Sequence, residues 1–116
     1  MFVSGVRMLK MPKKIFVCSK LKGNQEENIK KAKQYCKYVI RQGHIPFAPH
    51  IYFTLFLDDS IESEREIGIN SGLEWLKLCE ELWAFDSEPS EGMLKEIEFA
   101  RKNNIPVVRM ENFKKK

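Results

Sequence analysis

The sequence predicts a single α/β domain with a parallel sheet, and two observations support this. Short apolar segments typical of buried strands alternate with longer segments of helical spacing, in the order β-α-β-α-β-α-β. That order implies parallel strands joined by right-handed crossovers. The length of 116 residues suits one domain, and 43% hydrophobic with 31% charged residues are typical of a globular chain and argue against disorder.

The first half of the chain supplies two strands and the helix between them. Residues 14–19 (KIFVCS) are an apolar run that stops at polar residues, as a buried strand does. Apolar residues recur at helical spacing over residues 26–42, and Gly43 is placed to end that helix. Residues 45–48 are expected to form a second strand, short or near an edge because the segment carries proline.

A loop and a helix follow. Residues 51–59 are aromatic and apolar, then acidic, which favours a loop that covers something. Ser60 is expected to cap a helix that runs to about Cys79. Gly68 and Gly72 lie inside that helix, where glycine costs up to ~1 kcal/mol relative to alanine, so they indicate a close approach to another backbone or to a ligand.

The remaining elements complete the sheet and define where chemistry is expected. Residues 81–86 form a third strand, residues 90–103 a helix and residues 106–110 a fourth strand. Parallel sheets bind ligands outside the carboxyl ends of their strands. The positions to examine are therefore residues 19–23, His50 and residues 86–92.

Charge and cysteine content argue against several classes of site. The net charge of +4 comes largely from lysines between the apolar positions of the first helix and from Lys114–Lys116. This pattern favours a solvated helix face and a basic tail over binding of nucleic acid. The three cysteines form no CxxC pair and predict neither a disulfide framework nor a zinc site. The chain has no apolar run of the ~18 residues that cross a membrane and no signal-peptide pattern. We therefore expect a reduced, cytoplasmic protein without membrane association.

Glu96 is the most informative polar residue. Met93, Ile97 and Ala100 define the apolar face of the last predicted helix, and Glu96 lies at its margin, about 60° from Met93 at ~100° per residue. A carboxylate so placed either snorkels to water or is tucked against the sheet. In the second case it can serve as a nucleophile or as a general acid or base.

The start of the same helix is a candidate anion site. Ser90 and Gly92 offer a hydroxyl and free backbone N–H groups there, although an ordinary N-cap looks the same in sequence. A phosphate at this point would lie roughly 9 Å along the helix axis from Glu96. That span is comparable with the reach from a 5′-phosphate to the anomeric carbon of a sugar.

Polar residues at the other strand ends are weaker candidates. The loop after the first strand suits a phosphate or a base edge, but it could equally be a solvated turn. His50 could donate to a phosphate or a sugar hydroxyl, or be structural. Asp86 follows the third strand, and Glu80 precedes it. The loop residues in question are Ser19, Lys20, Lys22 and Gly23.

Several stretches together resemble a known enzyme family. These are EELWAF before and within the third strand, SEGMLKEI at the start of the last helix, IPVV at the fourth strand, and IFVCSKLKG at the first. They are similar to the nucleoside 2-deoxyribosyltransferases and to the related 2′-deoxynucleoside 5′-phosphate N-hydrolases. Two longer stretches, NIKKAKQYCKYVIRQGHIPFAPH (residues 28–50) and SEREIGINSGLEWLKLCEELWAF (residues 63–85), most resemble a branch of short domains in that superfamily. The resemblance extends over residues 14–109, and the spacing of Ser90, Gly92 and Glu96 carries most of it.

The resemblance implies roles for individual residues. Glu96 falls on the nucleophile that attacks the anomeric carbon, and Glu80 on an acidic position before the third strand. Ser90 falls where the transferases carry Asp and the hydrolases carry a Ser that donates to a 5′-phosphate. Ser19 and Gly23 fall in the loop that touches the ligand, where Lys20 and Lys22 depart from the usual order, and His50 matches a histidine of the hydrolases.

We therefore expect a three-layer, flavodoxin-like or Rossmann-like sandwich with a four-stranded parallel sheet in the order 2-1-3-4. It would span residues 14–110, between an amino-terminal extension (residues 1–13) and a basic tail (residues 111–116). The expected function is hydrolysis of, or transfer at, the N-glycosidic bond of a deoxynucleoside 5′-monophosphate, by a homodimer with no metal or organic cofactor. Two alternatives stay open: a sensor or sink that binds a nucleotide without cleaving it, and a protein-interaction scaffold with a vestigial cleft.

Overall fold

The structure is a computed structural model that describes residues 11–110 of the chain. Most of the extension expected over residues 1–13, and all of the tail expected over residues 111–116, lie outside the described residues.

Strands and helices alternate through the described residues. Their bounds in chain order are β1 (Lys14–Cys18), α1 (Gln25–Arg41), β2 (Ile45–Phe47), α2 (Pro49–Tyr52), a 3-10 turn (Phe53–Leu55), α3 (Glu62–Leu76), β3 (Glu81–Ala84), α4 (Glu91–Lys102) and β4 (Val107–Arg109).

The four strands form one parallel sheet in the order β2-β1-β3-β4. This confirms the predicted architecture and strand order. β1 is central, with Phe16 in register with Phe47 of β2 on one side and Leu82 of β3 on the other. All four carboxyl ends therefore face the same edge of the sheet.

The side chains of β1 alternate between two core layers, as the period of a strand requires. Ile15 and Val17 pack on the face covered by α1, together with Val39 of that helix. Phe16 and Cys18 pack on the opposite face. Their neighbours there include Leu76 of α3 and Met93, Ile97 and Ala100 of α4. The molecule is thus the three-layer sandwich that the sequence predicts.

The ends of two helices follow their local sequence. α1 ends at Arg41, and Gly43 then adopts φ +89°, a conformation in which glycine is favoured because it has no Cβ. α4 begins after Ser90, whose Oγ accepts the Met93 N–H at 3.2 Å. Ser90 is therefore the N-cap that the sequence predicts.

The loop expected over residues 51–59 is a wrong prediction. Its first part belongs to α2 and the 3-10 turn. Pro49 opens α2 with the fixed φ that suits a first helical position, and the Thr54 hydroxyl donates to the His50 carbonyl at 2.6 Å. These two local contacts order a segment whose composition does not show a helical period.

The bounds expected for the next helix also need correction. The Ser60 hydroxyl donates to Asp58 Oδ1 at 2.7 Å and does not cap the helix. α3 begins at Glu62 after Ile61, and it ends at Leu76 rather than near Cys79.

The two glycines of α3 face the α2 segment. A Cβ at Gly72 would lie 3.6 Å from the Pro49 Cβ, and one at Gly68 would lie 3.6 Å from Leu57 Cδ1. Both are ordinary contact distances to side chains, so the close approach to another backbone that the glycines predict is not found. These contacts hold Pro49 and Leu57 against α3. None of the helices within residues 11–110 has the length and apolarity that crossing a membrane requires.

We predict that Leu76→Ala destabilises the fold by about 2–5 kcal/mol, because it leaves a cavity in a fully buried core. Urea denaturation followed by circular dichroism measures the change. Leu78→Ala is the matched control: Leu78 is 62% exposed, so its loss should cost no more than about 0.5 kcal/mol. Equal losses in the two variants would contradict the packing described here.

Candidate functional site

Side-chain contacts join the predicted site residues at the carboxyl edge of the sheet. His50, just after β2, has its Nε2 2.9 Å from the Ser19 carbonyl oxygen, just after β1. Lys20 Nζ lies 3.7 Å from Asp86 Oδ2, just after β3. These contacts link residues at the carboxyl ends of β1, β2 and β3.

Glu96 reaches the same edge from α4. Its Oε1 is buried and accepts no hydrogen bond from any residue that the structure describes. Its carboxyl group lies next to the thiol of Cys18, the last residue of β1. Burial raises the pKa of the Glu96 carboxyl from about 4.5 to about 8, and the Cys18 thiol opposes part of that rise. Glu96 is therefore tucked against the sheet, and does not snorkel to water.

Cys18 is a site residue that sequence reasoning missed. It is fully buried, and its Sγ donates to the Met93 carbonyl at 3.8 Å. Burial and the neighbouring Glu96 raise the pKa of the thiol well above its usual value, while Arg109 of β4 acts in the opposite direction. The period of β1 carried a signal: Cys18 is two residues from Phe16 and so had to face the same side of the sheet.

Ser19 adds a buried hydroxyl beside Cys18. The residue is 4% exposed, and its Oγ has no hydrogen-bond partner within residues 11–110. Leaving a buried hydroxyl unpaired costs free energy. This hydroxyl and Glu96 Oε1 are therefore two buried polar atoms at one edge that lack a hydrogen-bond partner among the described residues.

His50 is held in its neutral form at this edge. Burial lowers the pKa of its ring, while the Ser19 carbonyl and Asp59 partly oppose that shift. Asp59 in turn lies 3.9 Å from Arg65 of α3, measured from Oδ2 to Nε. Asp59, in the segment after α2, therefore acts electrostatically on His50.

The start of α4 keeps the character of an anion site. The Ser90 oxygen is occupied as the N-cap acceptor, but its proton remains available to donate, as do the first N–H groups of the helix. A Cβ at Gly92 would lie 4.0 Å from Ser90 Oγ, an ordinary contact distance. Glycine therefore leaves open space beside the serine and is not required by the backbone.

The loop after β1 is ordered by a side chain of α1. Asn28 Nδ2 donates to the carbonyl oxygens of Leu21 and Lys22, at 3.0 and 3.1 Å. Gly23 has φ +103°, which favours glycine, and no atom would contact a Cβ there within 4 Å. Lys22 is exposed. No contact ties Lys22 or Gly23 to the other candidates in the part of the chain that the structure describes.

Glu80 lies apart from the other candidates. Its Oε1 accepts the Lys14 N–H at 2.5 Å, at the beginning of β1. Roughly 13 Å of strand separate Lys14 from Cys18 at ~3.3 Å per residue. The expectation that Glu80 joins the site is therefore not supported, because a residue that precedes a parallel strand lies at the amino edge of the sheet.

No group of three His, Cys, Asp or Glu side chains within residues 11–110 is arranged to hold a metal ion.

Comparison with known proteins gives one family and several similar structures. A family model described as a domain of unknown function (DUF7768) matches residues 13–110. No curated protein matches the chain.

Two of the similar structures are 2-deoxyribosyltransferases. The enzyme from Bacillus psychrosaccharolyticus has a TM-score of 0.64 and 18% sequence identity, and the match covers 89% of this chain and 75% of that one. The enzyme from Leishmania mexicana has a TM-score of 0.63 and 13% identity, over 88% of this chain and 66% of that one. This similarity confirms the fold that the sequence resemblance implies.

We predict that Glu96→Gln raises the melting temperature relative to the wild type, and increasingly so from pH 5 to pH 9. The folded-state pKa of Glu96 lies above the unfolded value, so the wild type loses stability as pH rises between them. At ~1.4 kcal/mol per pKa unit, the rise from about 4.5 to about 8 corresponds to a loss on the order of 5 kcal/mol once pH exceeds about 8.

Thermal melts across that pH range measure the difference between the two proteins. Glu98→Gln is the control, because Glu98 is exposed on the same helix and pairs with Lys102 at 3.7 Å. A difference between Glu96→Gln and wild type that does not change with pH would contradict the burial of this carboxyl.

Proposed function

The chain belongs to the family described as a domain of unknown function (DUF7768), and from the geometry of its site we propose that it cleaves the N-glycosidic bond of a deoxynucleoside 5′-monophosphate. Hydrolysis is the proposed outcome, and transfer to a second base uses the same first step. Glu96 is the proposed nucleophile.

One observation carries this proposal: the Glu96 carboxyl is buried at the carboxyl end of the central strand, with one oxygen unpaired among the described residues. A carboxylate engaged in a structural ion pair would have its oxygens occupied. The shared fold with two 2-deoxyribosyltransferases, and the resemblance of the segments around Ser90 and Glu96, support the same reaction class.

The proposed reaction has two displacements at the anomeric carbon. In the first, a Glu96 oxygen bonds to C1′ while the C1′–N bond breaks, and the electron pair leaves with the base, which takes up a proton. In the second, water attacks C1′ and the ester bond breaks. That step releases 2-deoxyribose 5-phosphate, returns the electron pair to the carboxylate and leaves a proton to solvent.

Burial of Glu96 affects the first step in two opposite ways. The raised pKa means that only part of the enzyme carries the reactive carboxylate at neutral pH. The carboxylate that does form is poorly solvated, and bonding to C1′ converts it into a neutral ester. Because the cost of the buried charge disappears as the bond forms, the charge favours the transition state over the free enzyme.

The phosphate is assigned to the start of α4. The Ser90 hydroxyl can donate to it, and the first N–H groups of the helix together with the helix dipole favour an anion. Lys20 supplies a positive charge on the neighbouring loop, where it faces Asp86. The distance of roughly 9 Å along the axis from Ser90 to Glu96 suits a substrate with its phosphate at one end and its anomeric carbon at the other.

We predict that the protein releases free base from at least one of the four deoxynucleoside 5′-monophosphates, and that Glu96→Gln lowers this rate at least about 1,000-fold. Chromatography of the reaction mixtures measures the base. Glu98→Gln, which changes an exposed carboxylate two residues away, should keep the wild-type rate.

Base release that survives Glu96→Gln would exclude the proposed nucleophile. Thermal stabilisation by a nucleotide without any base release would favour the sensor or sink instead. If neither effect is seen, the protein-interaction scaffold is the better hypothesis.

We further predict that Ser90→Asp lowers kcat/KM for the 5′-monophosphate at least about ten-fold but changes kcat/KM for the matching free nucleoside much less. A carboxylate there repels the phosphate, and even a partly screened repulsion of ~1.4 kcal/mol gives that factor. Aspartate is as good an N-cap as serine, so α4 should stay intact. Equal losses for nucleotide and nucleoside would argue against a phosphate at Ser90.

A further inference from the structure

The thiol of Cys18 is the hydrogen-bond donor that lies beside the proposed nucleophile. It is fully buried at the end of β1, on the face that α4 covers. Its Sγ lies 3.8 Å from the Met93 carbonyl oxygen, one turn before Glu96, and the Glu96 carboxyl group adjoins it.

A thiol has one proton and here has two possible acceptors. The Met93 carbonyl belongs to the first turns of α4, where the backbone N–H four residues on already bonds to it. The hydrogen bond from Cys18 Sγ to this carbonyl oxygen is long, and it is the second hydrogen bond that the oxygen accepts. A hydrogen bond to a charged acceptor is stronger than one to a neutral acceptor. Rotation about the Cβ–Sγ bond is enough to redirect the proton, and no covalent bond breaks.

We propose that Cys18 is a positioning residue for Glu96, whose thiol turns from the Met93 carbonyl to the carboxylate when Glu96 ionises and so holds the carboxylate in place. The importance of this contact for catalysis rests on the proposed function. The contact itself does not, because it follows from the burial of both groups.

The Glu96 carboxyl group has room for this hydrogen bond. Its Oε1 is buried and accepts no hydrogen bond from the residues described, so a donor beside the carboxyl group supplies a partner that the charged form needs. Arg109 of β4 is the charged group that also acts on the Cys18 thiol, and it favours the thiolate. Burial outweighs it, so the thiol keeps the proton that the proposal requires.

The test measures the titration of Glu96 without relying on activity. Carbon-13 NMR of the full chain labelled at glutamate carboxyl carbons follows each titration, and the Glu96 signal is identified by its loss in Glu96→Gln. We expect Cys18→Ala to raise the midpoint by about one pH unit, because a donor to the charged form is removed. Cys18→Ser, with a stronger donor, should bring the midpoint back to the wild-type value or below it.

Cys79→Ala is the matched control. Cys79 is also buried and its thiol donates to the Trp75 carbonyl at 3.6 Å, but it precedes β3 and lies at the amino edge of the sheet. Removing it creates a similar cavity and should leave the Glu96 midpoint unchanged. An equal shift in both alanine variants would mean a general loss of packing and would overturn the proposal.

The remaining outcomes separate this inference from the proposed function. If the acid limb of the kcat/KM profile for base release moves with the NMR midpoint, both are supported. If the NMR midpoint moves and the wild type releases no base, the contact stands and the proposed function fails. An unchanged midpoint in Cys18→Ala overturns the inference. If Cys18→Ala does not fold, the inference is tested with Cys18→Ser, and a midpoint above that of the wild type then overturns it.

Discussion

The site depends on the packing of the first turns of α4 against the end of β1. Met93 and Ile97 are buried in the same core layer as Cys18, and Glu96 lies between them in sequence. A rotation of α4 that released the carboxyl to water would also move these apolar side chains out of the core. The free energy that buries the helix therefore also holds an ionisable group in an apolar setting.

The two edges of the sheet differ in how completely their polar groups are paired. At the amino edge, Glu81 bonds to Lys13 and to the Trp83 indole, both at 2.8 Å, and Glu80 bonds to the Lys14 backbone. At the carboxyl edge, Ser19 Oγ and Glu96 Oε1 are buried without partners in the described part of the chain. Stability explains the first arrangement. Under the proposed function, the substrate would supply the missing partners in the second.

Features decided by nearby residues were predicted best from the sequence. The apolar run of β1, the helical spacing of α1 and the cap at Ser90 each need only a few neighbouring side chains to form. The short helix α2 was missed because it depends on Pro49 and on packing against Gly72 of α3. Four residues are too few to show a helical periodicity in the sequence.

In the candidate site too, local features could be predicted and long-range contacts could not. The marginal position of Glu96 on its helix could be predicted, but its burial depends on the packing of α4 against β1, which joins distant parts of the chain. The role of Glu80 was misjudged for a different reason. Its type suits catalysis, yet a residue ahead of β3 lies at the amino edge, as the direction of a parallel strand already requires.

The hydrogen bond between His50 and Ser19 determines the tautomer of the imidazole. A carbonyl oxygen can only accept, so the Nε2 must carry the proton that lies 2.9 Å from it. Because burial keeps the ring neutral, Nδ1 has no proton left to give. While this hydrogen bond holds, the imidazole therefore has no N–H to donate to a phosphate oxygen, and its remaining polar atom is the Nδ1 lone pair, which can only accept.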